Sequence, residues 1–138
     1  MNSINPQLQN TLALVGRILL ATIFVLSGFN KLTAIDGTIA YMNHGGVPMA
    51  NLLIYPTILI EIGGGLLLML GWQTRVVALI VFLFLIPVTL LFHNPVADPA
   101  HAQTQMINLL KNLSIMGGML QLMAFGPGAF SLDGRRRS

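Results

Sequence analysis

Residues 51–93 of the chain read NLLIYPTILIEIGGGLLLMLGWQTRVVALIVFLFLIPVTLLFH. Two apolar runs, residues 51–70 and 75–93, flank the short turn GWQT. Each run has about the 20 residues that a helix needs to cross a hydrocarbon core of about 30 Å. Their apolar residues are continuous and do not alternate with polar ones, which indicates helices and not barrel strands. This stretch therefore predicts two antiparallel membrane helices joined by a tight turn.

Two further apolar runs of spanning length lie outside this hairpin, at residues 11–31 and 105–125. The segments that connect the runs contain glycine, proline and polar residues, which end helices. We therefore predict an all-α fold, a four-helix transmembrane bundle that forms a single domain over residues 1–138. Residues 126–138 are predicted to form a basic tail.

The composition agrees with a membrane protein. Hydrophobic residues make up 54% of the 138 positions, and charged residues only 8%, against about 25% in soluble domains. The mean hydropathy of +0.76 also excludes an ordinary cytoplasmic domain. The chain has no cysteine, so disulfide scaffolds, thiolate nucleophiles and Cys-ligated metal centres are excluded.

Lysine and arginine predict the orientation, because short cytoplasmic flanks are enriched in them. Four spans put the 71–74 turn and both termini on one side, with Arg75 and the tail arginines at 135–137, whereas the other side has only Lys31. Both termini are therefore predicted to be cytoplasmic. No Lys or Arg precedes Arg17, so the first run is not expected to be a cleaved signal peptide. The tail arginines would lie near anionic lipid head groups, and no nucleic-acid partner is predicted.

Three ionisable residues, Arg17, Glu61 and Lys111, fall well inside the predicted spans. Each costs roughly 2.5–3.5 kcal/mol at the centre of an inserted helix. At a rise of about 1.5 Å per residue they lie roughly 9, 14 and 20 Å from the cytoplasmic face. Their depths predict one cluster, with the carboxylate between the two cations. The cluster is either a salt-bridge triad that only sets helix register, or a polar mid-membrane pocket that binds a small polar or quinone-like head group or relays protons.

Lys31, Asn108 and His93 are predicted to line the outer mouth of this pocket. The other histidines, His44 and His101, are also on the outer side. Their spacing matches no metal-ligand pattern, so no metal site is predicted. A haem between helices is disfavoured because no second histidine lies within a span. No catalytic residue can be identified.

The outer loop contains DGTIAYMN at residues 36–43. We expect two turns of interfacial helix there, with Asp36 as the N-cap and Gly45 as the stop signal. Ile39 and Met42 would point towards lipid.

An ordered set of short motifs runs along nearly the whole chain, from about residue 15 to residue 133. The motifs are GRILLA from Gly16, SGFNKL from Ser27, Tyr41-Met42, Gly46-Val47-Pro48, EIGGGLLL from Glu61, Gly71 with Thr74-Arg75, Phe92-His93, Lys111-Asn112-Leu113, Gly117-Gly118, Gly126-Pro127-Gly128 and Ser131-Leu132-Asp133. Together they resemble the DoxX family of small bacterial inner-membrane proteins.

This resemblance implies a four-helix, multi-pass protein of the cell inner membrane. It also suggests quinone-linked redox chemistry, since the family is named for a subunit associated with thiosulfate:quinone oxidoreduction and some relatives are linked to thiol and oxidative-stress defence. The chain has no recognisable pattern for holding a flavin, haem or iron–sulfur group. We therefore expect a subunit or accessory of a redox system, with a quinone as ligand and a redox partner subunit, and not a self-sufficient enzyme. The alternatives are a non-enzymatic scaffold or assembly partner, and a small transporter that forms a homo-oligomer.

Overall fold

The computed structural model describes residues 4–136, and this part of the chain contains helices and connecting segments but no strand. The all-α prediction is confirmed. The helices are α1 (Pro6–Thr33), α2 (Ile35–His44), α3 (Ala50–Leu70), α4 (Thr74–Phe92), α5 (Ala102–Phe125) and α6 (Leu132–Arg135), with a 3-10 turn at Pro99–His101. Arg137, one of the tail arginines, lies outside the described residues.

Helix α1 begins earlier than the apolar run suggested. The side chain of Asn5 accepts a hydrogen bond from the Gln7 backbone N–H at 2.8 Å, and Pro6 occupies the first helical position. Both residue types favour a helix start there. The helix has 28 residues, a length of about 42 Å, and therefore exceeds the hydrocarbon core.

Three helices in the described part of the chain, α1, α3 and α4, are long and apolar enough to cross a membrane. Helix α5 has 24 residues and is also long enough. It is more polar, because Asn108, Lys111 and Asn112 lie within two turns of one another. Hydropathy therefore separates α5 from the other three long helices.

The helices pack in two close pairs, α1 with α3 and α4 with α5. The central hydrophobic core joins both pairs and consists of Ala21, Phe24, Leu68, Val77, Ala78, Val81, Leu85, Ile115 and Met119. Glycine brings α1 and α3 together, since a Cβ at Gly65 would lie 2.7 Å from Val25 Cγ2. Small residues at such crossings allow close backbone approach in membrane helices.

Helix α2 turns its apolar face inward. Met42 is buried together with Ala50, Ile54 and Ile58, and Ile39 packs against this second cluster. The expectation that Ile39 and Met42 point towards lipid is therefore wrong, because the first turns of α3 provide them with an apolar partner. Asp36 also does not cap the helix, which starts at Ile35 without a side-chain cap.

Candidate functional site

Glu61 lies in the middle of α3, within the six-residue π-helical segment Leu59–Gly64. Such π turns inside α-helices are frequent at functional sites. Gly28 of α1 packs directly against this segment, since a Cβ at Gly28 would lie 2.6 Å from Ile62 Cγ1 and 3.0 Å from Glu61 Cβ. The absence of a side chain at Gly28 therefore lets α1 approach the carboxylate.

Two residues of α1, one turn apart, bind the buried Glu61 carboxylate. Lys31 Nζ lies 3.0 Å from Oε2 and donates to Oε1 at 3.1 Å. Ser27 Oγ donates to Oε1 at 3.3 Å and accepts from Lys31 Nζ at 2.7 Å. Oε2 accepts no hydrogen bond of good geometry, although it is buried. Lys31 is thus the charged partner of both carboxylate oxygens, and this ion pair offsets part of the cost of burying a 6%-exposed glutamate.

A cavity of about 310 Å³ adjoins this carboxylate, and residues from each of the helices α1 to α5 line it. Its lining includes two lysines, Lys31 and Lys111, together with Glu61 and His93. Its aromatic lining residues are Phe24, Tyr41, Phe84 and Phe92. The rings of Tyr41 and Phe92 stack with centroids 5.0 Å apart. With two ammonium groups and one carboxylate, the cavity favours a ligand that offers carbonyl or anionic oxygens, held among aromatic rings.

The structure brings together four of the six candidate residues from the sequence. Glu61, Lys111, Lys31 and His93 all line the cavity. Asn108 adjoins it, because its Oδ1 accepts from Lys111 Nζ at 3.2 Å. The remaining candidate, Arg17, lies elsewhere in the bundle.

Arg17 does not pair with Glu61, so the predicted three-residue cluster is wrong in this contact. Its guanidinium donates to the carbonyls of Met69 (3.3 and 3.2 Å), Phe130 (2.9 Å) and Pro127. The depth of Arg17, counted from the start of the apolar run at residue 11, predicted the wrong register between α1 and α3. Glu61 packs on Gly28, which is eleven residues, or about 16 Å, further along α1.

Arg17 instead belongs to what we call the tail clamp, formed by Arg17, Asp133 and residues 126–135. Asp133 accepts hydrogen bonds from the backbone N–H groups of Gln73 (2.9 Å) and Thr74 (2.8 Å), at the start of α4. Burial raises the pKa of Asp133, but the hydrogen bonds from Thr74 and Gln73 and the charge of Arg136 outweigh it, so the pKa lies below its usual value. The clamp therefore holds the C-terminal segment against the α3–α4 turn.

A second polar network begins at His93. His93 Nδ1 lies 3.2 Å from Gln105 Oε1, and Gln105 Nε2 donates to Asp98 Oδ2 at 3.2 Å. His101 Nδ1 lies 3.1 Å from Asp98 Oδ1. The hydrogen bonds from Gln105 and His101 lower the pKa of Asp98. In residues 4–136, no group of three or more His, Asp or Glu side chains could hold a metal ion.

Five polar residues of the cavity were not singled out from the sequence as site residues: Ser27, Thr38, Tyr41, Thr57 and Asn112. Asn112 is buried, and its Nδ2 donates to Thr89 Oγ1 at 3.1 Å, which ties α5 to α4. The spacing of Ser27 and Lys31, four residues apart on one helix face, is the signal that could have identified the serine.

Comparison with known proteins relates this arrangement to a family. The family model described as DoxX matches residues 12–94. The chain belongs to the DoxX family. In this DoxX protein the match includes Lys31, Glu61 and His93, whereas Lys111 and the tail follow it.

Two Escherichia coli (strain K12) proteins are similar to this DoxX protein along most of its length. Inner membrane protein YqjF is 38% identical over 127 residues, which is 92% of this chain and 93% of YqjF. Inner membrane protein YphA is 36% identical over 125 residues, 90% of this chain and 89% of YphA. No solved structure matches the chain. The DoxX protein is thus an integral inner-membrane protein, as the sequence predicted.

Proposed function

We propose that this DoxX protein crosses the inner membrane four times, with both ends in the cytoplasm. The tail clamp supports this orientation, since Arg17 and Asp133 hold the tail and the α3–α4 turn at one end of the bundle. Arg75 and Arg136 lie in the same region. A concentration of arginines is expected on the cytoplasmic side. A C-terminal alkaline phosphatase fusion should be inactive and a C-terminal fluorescent protein bright; the reverse pattern would refute this topology.

We propose further that the cavity binds the head group of a quinone that enters from the bilayer, and that the protein serves as a subunit or accessory of a redox system. The observation that carries this proposal is the placement of the Glu61 carboxylate at an aromatic-lined cavity that Lys31 and Lys111 also line. A volume of about 310 Å³ is at the small end of ligand pockets. It suits one ring with its tail in lipid.

The cavity's own side chains suit both ends of such a ring. The Lys31 and Lys111 ammonium groups can donate to ring carbonyl oxygens, and the charge-assisted character of these bonds strengthens them. Glu61 can accept from a ring hydroxyl. The stacked rings of Tyr41 and Phe92 offer an apolar surface at the outer end. Electrons would be exchanged between the bound quinone and the redox partner subunit.

The test is to purify the protein in mild detergent and to identify extracted small molecules by mass spectrometry. We expect co-purified quinone in the wild type and at least tenfold less in Glu61→Gln, because a hydrogen bond to a charged group contributes about 1.5–3 kcal/mol. Asp36→Asn removes an exposed carboxylate from α2 and should retain the quinone. Repeated absence of any quinone from folded wild-type protein would refute the proposal.

The scaffold role is the second candidate, and the Lys31–Glu61 contact favours it. The pair joins the partly buried Lys31 of α1 to the buried Glu61 of α3, and Ser27 bonds to both partners. Breaking one side of a buried pair is strongly destabilising. If Glu61→Gln lowers thermal stability or disrupts an assembly, while neither variant nor wild type retains quinone, the scaffold role is supported instead.

A further inference from the structure

One ring nitrogen of His93, at the outer end of the cavity, contacts a side chain of α5. His93 Nδ1 lies 3.2 Å from Gln105 Oε1. Gln105 is not among the residues that line the cavity, whereas His93 is. Nδ1 is thus engaged by a residue outside the cavity lining, which leaves Nε2 as the ring nitrogen available to a ligand in the cavity.

The proton on this ring can be located from the chemistry of its neighbours. The Asp98 carboxylate only accepts hydrogen bonds, and hydrogen bonding lowers its pKa and keeps it ionised. It must therefore face the NH₂ group of Gln105, 3.2 Å away, which leaves the amide oxygen towards His93. An amide oxygen also only accepts, so the neutral His93 ring carries its proton on Nδ1 and a lone pair on Nε2.

We propose that Asp98 and Gln105 hold His93 in the Nδ1–H form, so that its Nε2 accepts a hydrogen bond from a ring hydroxyl and the site prefers a quinol over the matching quinone. This inference rests on the proposed function, since it specifies the ligand of the same cavity. A quinol hydroxyl supplies the donor that Nε2 requires. A quinone carbonyl would bring two lone pairs face to face, and an unsatisfied acceptor weakens binding.

The cavity has a second acceptor of the same kind. Glu61 also lines the cavity, and its carboxylate only accepts hydrogen bonds. A ring hydroxyl can therefore donate to Nε2 or to this carboxylate, and the lysine ammonium groups can donate to the oxygens of the same ring. We expect the full-length wild type to bind a short-chain benzoquinol about tenfold more tightly than the matched benzoquinone, a ratio typical of one hydrogen bond.

The experiment combines two measurements on the full-length protein in lipid nanodiscs. Nitrogen NMR of protein labelled with ¹⁵N in its histidine rings reports which nitrogen carries the proton, and His93→Gln identifies the His93 signals. Titration with the short-chain benzoquinol under anaerobic conditions, and separately with its quinone, gives the two dissociation constants. His44→Gln is the matched control, because His44 does not line the cavity.

We expect His93 in the Nδ1–H form and the tenfold quinol preference in wild type and His44→Gln. Asp98→Asn should weaken both, because an asparagine can donate as well as accept and no longer orients the Gln105 amide. An Nε2–H signal in the wild type would overturn the inference even if quinone binds. Equal affinities for both rings would overturn the quinol preference. If neither ring binds, the proposed function fails together with the preference, while the spectrum still decides the protonation of His93.

Discussion

Replacing Arg17 with leucine should release the C-terminal segment from the helical bundle. Arg17 is 2% exposed, and its guanidinium donates to three backbone carbonyls, one at the end of α3 and two in residues 127–130. A buried acceptor that loses its partner costs about 1–3 kcal/mol. Partial access of water to the released tail favours the lower value for each of the three carbonyls. We therefore expect Arg17→Leu to lower the free energy of unfolding by about 3 kcal/mol.

Trp72 offers a direct assay of this release. It is the single tryptophan of the chain, and it lies in the α3–α4 turn next to Gln73, whose N–H binds Asp133. In mild detergent, Arg17→Leu should change the Trp72 emission at temperatures where the helices are still folded by circular dichroism. Trypsin should also cleave the tail faster in the variant.

Arg75→Leu is the control for loss of a cytoplasmic-side arginine. Arg75 is exposed, and its hydrogen bond to the Ala124 carbonyl is long, at 3.5 Å. Its replacement should cost less than about 1 kcal/mol, as exposed charge contacts usually do. The reasoning would be refuted if Arg17→Leu matched Arg75→Leu in thermal stability, Trp72 emission and tail cleavage.

Two further substitutions test the helix cap and the helix crossing. Asp133→Ala should cost about 1 kcal/mol, the usual value of an N-terminal cap. The folded-state pKa of Asp133 is lowered. Its contribution to the free energy of unfolding is therefore present above the unfolded pKa of about 3.9 and is lost as pH falls through the folded value. The thermal stabilities of variant and wild type should converge below about pH 4, and a constant difference would contradict this. Gly28→Ala should cost about 1–3 kcal/mol by overpacking, since its Cβ would lie 2.6 Å from Ile62 Cγ1. Gly16→Ala should be neutral or stabilising, because nothing lies within 4 Å of the Cβ that it adds. Equal effects of the two substitutions in chemical unfolding would show that the crossing of α1 and α3 is not tight.

The hairpin of α3 and α4 is the most predictable part of the fold. Both helices begin and end within one residue of the bounds expected from the apolar runs, because length and continuous hydrophobicity are local properties of the sequence. The start of α1 could not be predicted from the apolar run alone. Asn5 and Pro6 begin the helix through capping geometry, which adds polar turns ahead of the apolar run.

The candidate site could be predicted only in part. The cost of burying charge singles out Glu61 and Lys111 within their apolar helices, and both line the cavity. The expectation that Arg17 is a partner of Glu61 was wrong, because depth along separate helices does not specify their register. Gly28 sets this register by close contact with Ile62, and it brings Lys31, not Arg17, to the carboxylate.

The sequence by itself determined that the chain is helical, lies in a membrane and retains a few expensive charges within apolar helices. These properties follow from composition and from residue patterns within single helices. Only the tertiary structure decided which charges meet. The partners of Arg17 are backbone carbonyls from α3 and the tail, and every residue type carries such groups, so no side-chain pattern marks them. The cavity likewise depends on residues from five helices, and their distances are set by packing between helices and not by spacing along the chain.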